Sequence, residues 1–184
     1  MKKIIIVAAF LLAMCAVLLC ISAAFGYLLL PKPQITKSEA GRFAVTAPTA
    51  LTLSEQTIPV AEDVDIDLHI FVGQYGNIAY SVGYADYPEE IFERYTVEEL
   101  LELSRDGVVN SGGRTLISES AITVEGYPGV EFVVEERTDD EADIAAKGRI
   151  FFVGMRIYVL LITAPKGKLD DGEMNEFLDS FQLL

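Results

Sequence analysis

Ile150-Phe-Phe-Val-Gly-Met-Arg-Ile-Tyr-Val-Leu-Leu-Ile162 is the apolar run whose reading decides how the C-terminal part of this 184-residue chain folds. It is too short for a membrane-spanning helix, which needs ~20 apolar residues. It also contains Arg156 and is broken by Gly154. Gly154-Met155 then serves as a turn, and the run reads as a buried hairpin with strands over Lys147–Val153 and Arg156–Ala164. Strands joined so tightly are antiparallel, because a parallel crossover needs a dozen or more residues.

The neighbouring segments follow the same logic outward. On the N-terminal side, Arg114–Val124 and Val130–Arg137 read as strands separated by Gly126-Tyr-Pro-Gly129. Before them the period changes. Thr96-Val-Glu-Glu99 matches a capping box, with Thr96 as N-cap and Glu99 reaching back to it. Val97, Leu100, Leu101, Ser104 and Val108 then form a helical stripe, with Glu98, Glu102 and Arg105 outside, until Asn110-Ser-Gly-Gly113 ends the helix. Asp63–Gln74 and Asn77–Tyr87 alternate as strands around the turn Tyr75-Gly-Asn77. Leu51–Val60 and Arg42–Thr46 supply the first strands, the latter stopped by Pro48. Beyond the hairpin, Pro165-Lys-Gly-Lys168 is a turn, and Asp170 and Glu173 open a last helix with Met174, Phe177, Leu178 and Phe181 on one side. Strands, helix, four strands, helix: this order predicts an α+β domain, a mostly antiparallel sheet with helices packed on it.

Hydrophobic residues make up 51% of the chain, yet Asp and Glu number 28 against 14 Lys and Arg. The two facts separate along the sequence. Between Ile4 and Leu30 only Ser22 and Gly26 fall outside the hydrophobic class, and Lys2 and Lys3 precede the block. As a helix that block would be about 40 Å long, more than the ~30 Å hydrocarbon core and well beyond the ~7–15 residues of a signal-peptide core. Residues 1–30 therefore read as an N-terminal transmembrane signal anchor, with cleavage at the small residues Ser22-Ala23-Ala24 as the alternative, and 31–40 as a proline-bearing linker, with the soluble domain over 41–184. Lys2 and Lys3 argue for an inside N-terminus, while Lys32, Lys37 and Arg42 follow the segment closely. A long C-terminal domain translocates largely regardless of its charge, so the expected localisation is the cell membrane, single-pass, with the C-terminal domain outside the cytoplasm. Both cysteines, Cys15 and Cys20, lie in the apolar block, which leaves the domain without disulfides or thiolate chemistry. Every acidic residue follows Ser38, so the domain is more acidic than the whole-chain charge of −14. Nucleic acid and anionic headgroups would be repelled, while basic proteins and divalent cations are admitted.

Four segments carry a resemblance: Gly41-Arg-Phe-Ala-Val-Thr-Ala-Pro48, Ile122-Thr-Val-Glu-Gly-Tyr-Pro-Gly-Val-Glu-Phe132, Arg156-Ile-Tyr-Val-Leu-Leu-Ile-Thr-Ala-Pro165 and Phe177-Leu-Asp-Ser-Phe181. Through them the domain resembles the PsbP-like family, whose fold is shared with the Ran-binding Mog proteins and with bacterial envelope proteins of unknown function. The resemblance implies an α/β/α sandwich around an antiparallel sheet. It also implies an accessory or binding role without catalysis. The matching segments are strand starts, a turn and a helix end, so no binding residue is carried over from the family.

Two constellations could carry chemistry. Asp63-Val-Asp-Ile-Asp-Leu-His69 begins like a calcium loop, but Leu68 stands where the loop needs Gly and Gln74 where it needs a bidentate Glu. On a strand, Asp65, Asp67 and His69 would share one face about 6.6–6.8 Å apart, a loose divalent-cation site set against a plain solvated face. Asp139-Asp-Glu-Ala-Asp143 is a second acidic cluster, read as a solvated hairpin loop or a weak cation contact. Among the tyrosines between Tyr75 and Tyr95, Tyr80 and Tyr84 fall on one strand face, as sheet packing or as a partner surface. With a single histidine and no nucleophile elbow, P-loop or glycine-rich dinucleotide fingerprint, no catalytic residue and no cofactor are expected. The expectation is a membrane-anchored extracytoplasmic binding or accessory module with a protein partner near the membrane. A divalent-cation or small-ligand binding domain is the alternative.

Overall fold

A computed structural model describes residues 32–61, 64–110, 113–136, 144–168 and 171–184. The expected anchor over 1–30, both cysteines and the acidic run 139–143 lie outside the described residues. Among the described residues no helix is long and apolar enough to cross a membrane.

The hairpin over 150–162 lies inside the main sheet. Its strands are β8 (Ile144–Val153) and β9 (Arg156–Pro165), with register from Ile144↔Pro165 to Val153↔Arg156. The remaining strands of this sheet are β3 (Thr52–Ala61), β4 (Val64–Tyr75), β5 (Ile78–Asp86), β6 (Thr115–Val124) and β7 (Tyr127–Glu136). Their order is β3-β4-β5-β9-β8-β7-β6, and every neighbouring pair is antiparallel. A second, three-stranded sheet joins β1 (Gln34–Ser38), β2 (Phe43–Ala47) and β10 (Gln182–Leu183).

Arg156 through Ile162 are all buried, which explains why this strand does not alternate. Successive strand residues point to opposite faces, so a strand covered on both sides is apolar throughout. Ile157, Val159 and Leu161 join a core with Leu68, Ile70, Phe132, Ile150 and Phe152. The same core takes Ile91 of α1 (Glu89–Phe92) and Leu100, Leu101 and Val108 of α2 (Val97–Asn110). Tyr158, Leu160 and Ile162 join a second core with Phe43 and Val45 of β2, Val82 of β5, and Met174, Phe177 and Leu178 of α3 (Asp171–Asp179). The main sheet thus carries α1 and α2 on one face, and α3 with the small sheet on the other.

Two features depart from the sequence expectation. Residues 31–40 are not simply a spacer, because Gln34–Ser38 pair with β2 from Gln34↔Ala47 to Ser38↔Phe43. Ile35 is the strand's single apolar side chain and is 75% exposed, so the segment shows no burial pattern and is held by backbone pairing. Likewise β10 is two residues long and pairs with Phe43 and Ala44, far too short to carry a period. The capping box forms as expected: the Glu99 amide donates to Thr96 Oγ1 at 3.2 Å and the Thr96 amide donates to Glu99 Oε2 at 2.9 Å.

Candidate functional site

Asp65, Asp67 and His69 occupy one side of β4, opposite the buried Ile66, Leu68 and Ile70. The edge strand β3 engages two of them. Thr57 Oγ1 donates to Asp67 Oδ1 at 2.8 Å, and His69 Nδ1 lies 2.8 Å from Glu55 Oε1. The His69 ring stacks on Tyr84 with centroids 4.6 Å apart. Among the described residues no three His, Cys, Asp or Glu side chains converge as metal ligands would. Pattern reading placed the three residues on the right face, but strand spacing holds them apart and cross-strand partners draw two of them sideways.

Tyr80 and Tyr84, read from the sequence as sheet packing or as a partner surface, both pack inside the domain. Each is 4% exposed within the second core, because β5 lies beside the fully covered β9 and beneath α3 and the small sheet. Tyr84 packs against Phe43 and carries the Arg156 guanidinium 4.8 Å from its ring centre. Arg156 in turn donates from Nε and Nη2 to the two carboxylate oxygens of Asp86, at 2.7 and 2.5 Å, and from Nη1 to the Ala40 carbonyl at 2.7 Å. The Tyr158 hydroxyl donates to the neighbouring Gly41 carbonyl at 2.7 Å. Hydrogen bonding from Arg156 holds the Asp86 carboxyl below its ordinary range. Gly41 permits this closure, since a Cβ there would stand 2.7–2.8 Å from the Phe43 and Tyr84 rings. The network ties the β1–β2 connection to the end of the main sheet. Each of the three Arg156 nitrogens donates within the domain, so the side chain locks the two sheets together.

The more open site lies at α3. Met174, Phe177 and Leu178 turn toward the core, which leaves Glu173 and Glu176, three residues apart on the same helix side, exposed. Ser180 pins the helix end to β2: the Thr46 amide donates to Ser180 Oγ at 2.9 Å, and Ser180 Oγ lies 2.7 Å from the Phe177 carbonyl. Between this helix side and Thr46-Ala47-Pro48 runs a cleft of about 400 Å³, bounded also by Pro33 and Phe177, with Tyr80 in its lining. The volume falls in the range of ligand-sized pockets. Tyr80 and Phe177 meet edge to face at 5.2 Å. Burial, then the nearby charges of Glu173 and Tyr75, push the Tyr80 phenol up to about 12, so it stays protonated at neutral pH. None of the described residues hydrogen-bonds its hydroxyl. Among the described residues no Lys or Arg lines the cleft. A second cleft of about 390 Å³ adjoins Arg42, Tyr127, Met155 and the already engaged Arg156–Asp86 pair. A third, of about 170 Å³, lies between α2 and the β6–β7 hairpin. None of these three is lined by His69, and Ser81 Oγ is buried against the Leu161 carbonyl, so they do not gather the serine and histidine of a hydrolase.

No protein-family model matches the sequence, and no curated protein does. Among solved structures the chain is similar to cyanobacterial PsbP (CyanoP) from Synechocystis sp. PCC 6803, with 12% identity and a TM-score of 0.57 over 88% of this chain and 98% of that one. The fold is PsbP-like. A Bacteroides thetaiotaomicron VPI-5482 protein matches at 13% identity and a TM-score of 0.48, over 85% of this chain and 49% of that one. At such identities the likeness is one of fold. On this PsbP-like frame the cleft is assembled from β2, β5 and α3, far apart in sequence. The helical stripe of Met174, Phe177 and Leu178 does put Glu173 and Glu176 outside the core. It gives no sign that Thr46–Pro48 faces them across a concavity.

Proposed function

We propose that this chain is a membrane-anchored, extracytoplasmic binding or accessory module that meets a protein partner through the cleft beside α3. One observation carries the reading: a ligand-sized concavity with apolar walls and two outward carboxylates. The PsbP-like fold agrees with an accessory role, and we extend the relation to the Mog-type and bacterial envelope proteins that the sequence resembles. The apolar block 4–30 would hold the domain at the membrane with 41–184 outside.

Affinity isolation of the full chain from membranes in mild detergent tests this reading. A partner recovered in constant ratio to the chain is the expected result; repeated recovery of the chain alone overturns it. Alkaline extraction tests the anchor, since a spanning segment stays in the membrane pellet. External protease on intact cells tests the orientation and should reach 41–184.

A further inference from the structure

We infer that the cleft beside α3 is a lysine pocket: it receives the ammonium and methylene stem of a lysine side chain presented by the protein partner. The inference rests on the binding role proposed above and names what the cleft recognises. Its lining combines apolar and polar side chains. Pro33, Ala47, Pro48 and Phe177 offer surface for a methylene chain, as long cationic side chains pack their stems on apolar groups. Glu173 and Glu176, both exposed, also line it, and among the described residues no cation does.

Tyr80 is the independent observation. It is 4% exposed and lines the cleft, and none of the described residues hydrogen-bonds its hydroxyl. The ring is enclosed while the hydroxyl keeps solvent-accessible surface, so its oxygen is free to accept from a donor that enters the cleft. The edge-to-face Tyr80–Phe177 pair adds aromatic surface that also attracts a cation. A compact ammonium with three donors suits one phenol and two separate carboxylates better than a planar guanidinium, which favours bidentate partners. A protein source is favoured over a free amine by Ile35, two residues beyond Pro33 and 75% exposed, which gives apolar contact outside the cleft that only a larger partner would cover.

The test uses the full chain in detergent micelles and three probes: a capped trilysine peptide, its trinorleucine counterpart and free spermidine. Calorimetry should show trilysine binding and no binding of trinorleucine. Tyr80→Phe and the double variant Glu173→Gln/Glu176→Gln should each weaken trilysine about tenfold or more, with melting curves unchanged. Both variants leave the fold intact on physical grounds, since the phenol has no partner to lose and the carboxylates are exposed. Equal binding of trilysine to wild type and variants overturns the inference, because it reports only attraction to an acidic chain. So does trinorleucine binding as well as trilysine. Tighter binding of spermidine than of trilysine shows a free-amine site and overturns the protein source. A partner isolated from membranes equally well with the variants leaves the binding role standing and removes the lysine pocket. Variant-sensitive trilysine binding with no partner recovered does the reverse.

Discussion

Arg156 shows how much one residue does in this fold. In the sequence it is the charge that interrupts an apolar run. In the structure it joins Asp86, 70 residues away, and the Ala40 carbonyl, 116 residues away. A buried guanidinium is tolerated only when its donors are satisfied, and three of its nitrogens are. Asp86 remains 60% exposed, so solvent screens part of the pairing and the full cost quoted for buried ion pairs does not apply. Arg156→Ala should lower stability by about 2–3 kcal/mol in urea unfolding. Arg156→Lys should recover less than half of that, since an ammonium cannot reproduce the bidentate fork. An equal effect of both variants would mean that the charge alone matters. At this scale the sequence shows that Arg156 is unusual, and only the folded chain shows why, because its partners come from distant segments.

Elements were legible in proportion to how strongly their side chains repeat. Helix α2 is the clearest case: the capping box, the apolar stripe and the closing Asn110 are all present in order, and the helix spans Val97–Asn110. Thr96→Ala should cost about 1 kcal/mol, seen as a lower urea midpoint, because the Glu99 amide loses its acceptor. Strand β9 is legible for the opposite reason, since unbroken apolar residues between a turn and a proline fit a strand covered on both faces. The small sheet was not legible as such. Its β1 is polar and its β10 is two residues long, and both exist because β2 offers backbone donors and acceptors on each side. Backbone pairing leaves no trace in side-chain pattern.

At the scale of the molecule, acidity shapes how the fold responds to pH. Asp86 titrates below its ordinary range, chiefly through its Arg156 hydrogen bonds. Glu131 does so as well: burial would raise it, but the hydrogen bonds from Arg149 and Lys147 together outweigh that. A carboxyl depressed in the folded state contributes fully above its unfolded pKa, and the contribution disappears as pH falls through the folded value. Urea midpoints should therefore be flat near neutrality and drop on acidification below about pH 4. Asp86→Asn and Glu131→Gln should each make the drop shallower, and unchanged acid limbs would show that these pairs do not govern it. From the sequence alone came the acidic domain, the apolar block before it, the antiparallel α+β order and the strand face bearing Asp65, Asp67 and His69. All of these depend on composition or on a local period of two or 3.6 residues. The tertiary structure decided the rest: that Tyr80 and Tyr84 are buried, that Arg156 locks two sheets, and that Tyr80, Glu173 and Pro48 face one cleft. Concavity and burial arise when segments distant in the chain pack together, and no local period encodes that distance.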